Sequence, residues 1–200
     1  GNVIRTTHFR LYFDVDALRQ NKAIANWRGE SGFEPEYQAL WDYRNPGWIP
    51  FIRDLAYYLE RSHARYAALG LKPVKVPLPV EIFPGVVGKG AAGGYEYQSR
   101  RILLPSEKFK ADRRSVKHIA AHELFHAVQH SAFPDDPDLA VRASSLWWLE
   151  ASADYAAAAI AWDHLDYNLI GRGDPYPFLL EQALTDTGKP VDPPPNQSFP

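Results

Sequence analysis

The sequence predicts an α+β domain, a small mixed sheet packed on two helices, one carrying paired histidines and the next paired acids. Three observations lead there. Thr7 to Val15 alternates apolar Phe9, Leu11, Phe13 and Val15 with His8, Arg10, Tyr12 and Asp14, the period of a strand with one buried face. Trp48 to Leu69 and Arg113 to Ser131 instead repeat apolar residues at helical spacing. Between them, the short apolar runs Pro79 to Phe83 and Arg101 to Leu104, bounded by Pro and Gly, read as further strands.

The elements follow in order. On the first strand His8 falls on the polar phase and reads as a surface residue. Asp16 to Pro46 reads as a weak helix and then an irregular aromatic segment, whose Trp27, Phe33, Tyr37, Trp41 and Tyr43 are more simply core than a substrate surface. Phe51, Ile52, Leu55, Ala56, Leu59, His63, Tyr66 and Leu69 then mark a long amphipathic helix, stopped by Gly70 and kept from resuming by Pro73. Gly85 to Gly94 carries five glycines but lacks the Gly-Lys-Ser/Thr ending of a phosphate loop, so it reads as a flexible turn. Tyr95 to Gln98 and Arg101 to Leu104 are the next strands, and Pro105 leads into the histidine helix. After the acidic helix, Asp163 to Asp174 passes into a Gly-rich turn, and Tyr176 to Thr187 forms one more helix with Pro177 in its first turn and Gly188 as its cap.

Composition narrows the function. With 200 residues, 46% of them hydrophobic, the chain can bury one sizeable core. Residues 1–188 are therefore expected to form one domain, and the proline-rich 189–200 a tail or a linker to further domains beyond the C-terminus. Lys and Arg number 22 against 24 Asp and Glu, which favours neither nucleic acid nor an anionic membrane as partner. No apolar run is long enough to span a bilayer. Cysteine is absent, which excludes disulfides, thiol catalysis and thiolate-bound zinc.

The chemistry is carried by His122-Glu123-Leu124-Phe125-His126. On a helix, residues at i and i+4 lie about 40° apart around the axis and roughly 6 Å along it, so both imidazoles can reach one metal ion. Glu123 projects beside them, where a carboxylate can take a proton from an activated water. Downstream, Trp147-Trp148-Leu149-Glu150-Ala151-Ser152-Ala153-Asp154-Tyr155 runs into the alanine-rich Ala156 to Ile160, a second helix by propensity. Glu150 and Asp154 share one of its faces. The economical arrangement gives Glu150 to the metal and leaves Asp154 to accept the free ring N–H of a ligand histidine.

A histidine pair on one helix followed by Glu-x-x-x-Asp on the next resembles the gluzincin zinc metallopeptidases, the thermolysin-like enzymes and zinc aminopeptidases. Trp148-Leu149-Glu150-Ala151-Ser152-Ala153 is also similar to the Trp-Leu-x-Glu-Gly-x-Ala neighbourhood of the aminopeptidase branch, with Ala151 where Gly is common and the Trp spacing shifted by one. The resemblance covers Arg113 to Ile160 well and the remainder in outline. It implies a zincin-like fold, Zn2+ held by His122, His126 and Glu150, Glu123 as general base, and Asp154 orienting His122. It further implies a polypeptide substrate, an edge strand that pairs with it, for which Ala91 to Ser99 is the candidate, and an exported bacterial enzyme, extracellular or periplasmic. A donor to the oxyanion is also implied, with Tyr155, His164, Tyr167 and Tyr176 as candidates.

Alternatives divide unequally. The metzincin pattern fails, because Gln129 and Ala132 occupy the places of its Gly and third His. His130 lies about 12 Å along the axis from His122, too far to share an ion, and reads as a surface or cleft histidine. Asp154 in place of Glu150 as third ligand stays open. Absence of a Gly-Ala-Met-Glu-Asn-type sequence tilts the reading towards an endopeptidase, although a chain without methionine could not carry that motif intact. Two other functions remain: a non-catalytic gluzincin-like binding or adhesin module, and a zinc hydrolase of a non-peptide substrate.

Overall fold

Strands with one apolar face must bury it, and here five do so against helices. The computed structural model describes residues 1–30, 33, 37, 49–72, 75–85, 93–110, 112–132 and 143–162, the last from Trp148 onwards for side chains. It is a mixed α+β structure. Strand β1 (Asn2–Arg5) pairs antiparallel with β2 (Phe9–Phe13), and β2 runs parallel to β3 (Leu78–Phe83). β3 is in turn parallel to β5 (Arg101–Pro105), against which β4 (Gly94–Glu96) lies antiparallel. The sheet order is β1-β2-β3-β5-β4, which leaves β4 at an edge.

Alternation decides which side chains reach the core: Phe9, Leu11 and Phe13, then Leu78, Val80 and Ile82, then Ile102 and Leu104 are all buried. β1 went unrecognised in the sequence for the same reason. Only Ile4 of its four residues is buried, so pairing with β2 and not its own pattern makes it a strand. Short helices α1 (Val15–Gln20) and α2 (Lys22–Ala25) follow, capped by Asp14 and Asn21, whose side chains accept from Ala17 N and Ala23 N. Trp27 and Tyr37 lie in the core and Phe33 packs against it, so these aromatics are structural. Trp41 and Tyr43 fall outside the described residues.

Helix α3 (Pro50–Ala68) opens with Pro at its first position and stops before Gly70, whose φ of +78° suits a residue without Cβ. It packs on β2 and on the motif helix, and it carries charge inside: Asp54 accepts from Trp27 Nε1 and Glu30 N, each at 2.8 Å. His8, expected at the surface, is one-third exposed and also paired on its inner side. Its Nδ1 lies 2.6 Å from Glu60 Oε2, and its ring stacks on His63 at 3.8 Å.

The motif helix α4 (Arg113–Ala132) is held at both flanks. Arg113 donates to the carbonyls of Arg28 and Gly29, Lys117 pairs with Glu30 at 2.8 Å, and the buried Tyr66 hydroxyl of α3 donates to Ala121 O at 3.1 Å. Helix α5 (Ala143–Tyr155) does not simply continue through the alanines. Ala156–Ala161 widens into a π-helical segment packed on α3 and α4, with Arg61 of α3 donating to the Ala161 carbonyl. No helix among the described residues is long and apolar enough to cross a membrane. The expected turn at 163–174, helix at 176–187 and tail at 189–200 lie outside the described residues.

Candidate metal centre

Helical periodicity puts His118, His122, His126 and His130 on α4 one turn apart, and α5 brings Glu150 and Asp154 against the middle of that row. The ring nitrogens then sort into two kinds. His122 Nδ1 lies 2.6 Å from Asp154 Oδ1, and His126 Nδ1 lies 2.7 Å from Gln129 Oε1. A carboxylate can only accept. The amide of Gln129 has its own NH2 engaged by Leu149 O and Ser152 Oγ, both at 2.8 Å, so its oxygen faces His126. Both histidines therefore carry their proton on Nδ1 and turn Nε2 inward.

Those two Nε2 atoms lie 3.1 Å apart. Glu150 closes the third side, Oε2 at 3.1 Å from His122 Nε2 and Oε1 at 3.5 Å from His126 Nε2. Two nitrogens with Nδ1 protonated would meet lone pair to lone pair, so a cation belongs between them, either a proton or a metal ion. Burial pushes His122 down, but the hydrogen bonds to Asp154 and then Glu150, with the charge of Glu123, override it and raise the ring to about 10. Glu150 is pushed up by burial and pulled back further by both histidines, to about 2, and Asp154 is likewise held well below the usual carboxylate range. One nitrogen from each histidine and one Glu150 oxygen, all within 4.8 Å of one another, form a donor set suited to a divalent cation such as zinc.

Glu123 stands next to this set, 6% exposed, with Oε2 buried and without a hydrogen-bond partner. Burial, opposed by the charges of His122 and His126, raises its carboxyl above the ordinary value. The segment before β4 presses on it: a Cβ at Gly93 would fall 2.6 Å from Glu123 Oε1. Glycine at 93 thus leaves room for the carboxylate, which any side chain would have to displace.

Several sequence expectations meet the geometry differently. Tyr155 is 40% exposed and takes no part in the site's hydrogen bonds, while His164, Tyr167 and Tyr176 lie outside the described residues. His130 lies within 3.0 Å of the Tyr95 hydroxyl and packs on Tyr97, outside the donor set. Of the strand candidate, Ala91 and Ala92 lie outside the described residues, and Gly94–Glu96 forms the sheet edge.

Sequence reasoning missed four residues. Gln129 served only to reject another pattern, though its place three residues after His126, on a helix face towards α5, was a usable signal. His118 and Gly93 were not considered. Tyr97, next to β4, has its hydroxyl raised to about 12 by burial and then by the charges of Glu150 and Glu123, so it stays protonated in their field. Comparison with protein-family models, with curated proteins and with solved structures finds no match to this chain.

Proposed function

We propose that the chain is a zinc-dependent peptide hydrolase of gluzincin type, acting within polypeptides. One observation carries the reading: two imidazole Nε2 atoms and a Glu150 oxygen converge, with both Nδ1 protons directed outward onto Asp154 and Gln129. The uncommitted, buried Oε2 of Glu123 beside them gives the set a base. A zincin-like domain organisation, with helices α4 and α5 beneath a mixed sheet, agrees with the same reading.

His122, His126 and Glu150 would hold a zinc ion, which when bound would supply Lewis acidity to the scissile carbonyl and to a water molecule. Glu123 accepts the proton of that water as it attacks, then delivers it to the departing amine. Its raised proton affinity suits the second transfer, and the charges of His122 and His126 oppose the rise. Asp154 and Gln129 hold the two rings in the tautomer that presents Nε2. In this reading Tyr97 keeps its proton and donates a hydrogen bond to the oxyanion as negative charge develops, and the free edge of β4 receives the extended substrate backbone.

The test is cleavage of a mixed peptide library by zinc-loaded protein, read by mass spectrometry, with Glu123→Gln as partner. Cleavage should fall by about 10²- to 10⁴-fold in the variant while zinc stays bound. If neither protein cleaves at full zinc occupancy, the peptidase reading is lost and a binding module or a non-peptide substrate takes its place.

A further inference from the structure

Helix α4 presents two histidines that the proposed donor set does not use, and one of them reaches Asp154. His118 stands one turn before His122, and its Nε2 lies 2.9 Å from Asp154 Oδ1, the oxygen that also lies 2.6 Å from His122 Nδ1. One carboxylate oxygen thus accepts from two imidazoles on successive turns of one helix. The side chain of Asp154 is 12% exposed and that of His118 34%. Among the described residues these two rings are the hydrogen-bond donors to Asp154.

We propose that His118 is a positioning residue of the metal centre: by holding the same Asp154 oxygen that His122 meets, it sets the plane in which His122 directs Nε2. The inference rests on the zinc reading above. It follows from the reach of the carboxylate, which can swing about its terminal torsion unless held by more than one donor. Asp154 with His122 alone would keep the proton on Nδ1 yet leave the ring free to tilt. A second donor on the same oxygen removes that freedom and carries the restraint to the ligand nitrogen.

A rival use of the same atoms is a second metal site, since His118, His122 and Asp154 also offer ligand atoms within 4.8 Å of one another. Filling it together with the first would require His122 to lose its Nδ1 proton while Nε2 is already coordinated. An imidazole has one N–H proton when neutral, and removing it beside two carboxylates is unfavourable. One ion per chain is the consequence.

The measurement is zinc stoichiometry and affinity by chelator competition, for wild type, His118→Leu and His118→Gln, alongside the visible spectrum of each protein loaded with Co2+. Leucine removes the donor and keeps the helix; glutamine places an N–H where His118 Nε2 was. One zinc per wild-type chain, about tenfold weaker binding and a shifted cobalt band in the leucine variant, and recovery of both in the glutamine variant are expected. His118→Asn, whose amide falls short of Asp154, replaces leucine if that variant does not fold. Equal affinity in wild type and the non-donor variant overturns the proposal and leaves the zinc reading intact. So does failure of glutamine to rescue, or a second zinc lost with His118. Wild type that binds no zinc overturns both.

Discussion

Two histidine clusters in this molecule use nearly the same parts and arrive at opposite chemistry. Beneath the N-terminal strands, His8 and His63 stack face to face, 3.8 Å apart and 22° from parallel, with Glu60 buried beside them. Between α4 and α5, His122 and His126 meet nearly edge to face, 4.8 Å apart at 82°, with Glu150 half open to solvent. In the first cluster both Glu60 oxygens are spent on His8, one on its backbone N–H at 2.8 Å and one on Nδ1 at 2.6 Å. Among the described residues, neither histidine there belongs to a set of converging ligand atoms. In the second, the outer nitrogens are engaged and the inner ones left to converge. The difference teaches that residue types do not make a metal centre; the direction of the lone pairs does, and neighbours such as Asp154 and Gln129 set that direction.

Proton affinity divides the same way. His63 is lowered to about 4, first by burial and then by the charge of His8. His122 is raised because the carboxylates of Asp154, Glu150 and Glu123 outweigh its burial. A neutral stacked ring is therefore a structural piece, whereas a ring that binds a proton this tightly in the metal-free protein is one that a metal ion can claim in the proton's place.

The largest test of the comparison lies at the edge of the second cluster. Tyr97→Phe removes the assigned oxyanion donor and is expected to lower kcat by roughly 10²-fold, about 3 kcal/mol, with KM and zinc content little changed. Steady-state kinetics on a fluorogenic peptide checks it; an unchanged kcat would remove Tyr97 from the mechanism.

Gln129→Leu comes next. It frees the Nδ1 of His126 and unties α4 from the Leu149 carbonyl, so zinc affinity should fall about 10- to 100-fold in a competition assay. His63→Phe, by contrast, should leave zinc affinity where it is. If His63→Phe weakens zinc as much as Gln129→Leu does, the division between a structural and a metal-binding cluster fails.

A further test separates the clusters by acid stability. His63 has a lower proton affinity folded than unfolded, so between pH 6.5 and about 4 the unfolded chain binds more protons. Stability contributed by the neutral ring is complete above about pH 6.5 and declines as the pH falls towards 4. Urea midpoints in EDTA at pH 7 and pH 4.5 should therefore differ more for wild type than for His63→Phe, by at most about 3 kcal/mol in unfolding free energy. An identical pH response in the two proteins would mean that His63 is solvated in the folded state.

Legibility in the sequence followed the range of the interaction. Phe9, Leu11 and Phe13 alternate, so β2 could be read from its own residues; Asn2–Arg5 hardly alternate, and β1 is a strand because β2 offers it an edge. The apolar spacing of Phe51 through Tyr66 gave α3 and its end at Gly70, but not that Asp54 and Glu60 would be buried on it, since their partners Trp27, Glu30 and His8 are distant in the chain. The pairing of His8 with Glu60 was not legible for the same reason. Likewise, Gln129 meets Leu149 and Gly93 meets Glu123 across gaps that no periodicity spans.

By itself, then, the sequence determined that His122 and His126 share one helical face with Glu123 beside them, and that Glu150 and Asp154 share a face of the next helix, because helix geometry is local and fixed at about 3.6 residues per turn. Only the tertiary structure decided that these faces meet, that both imidazoles turn Nε2 towards each other and towards Glu150, and that His118, Gln129 and Gly93 complete the surroundings. Periodicity says which side of a helix is buried; what it is buried against depends on how the layers pack.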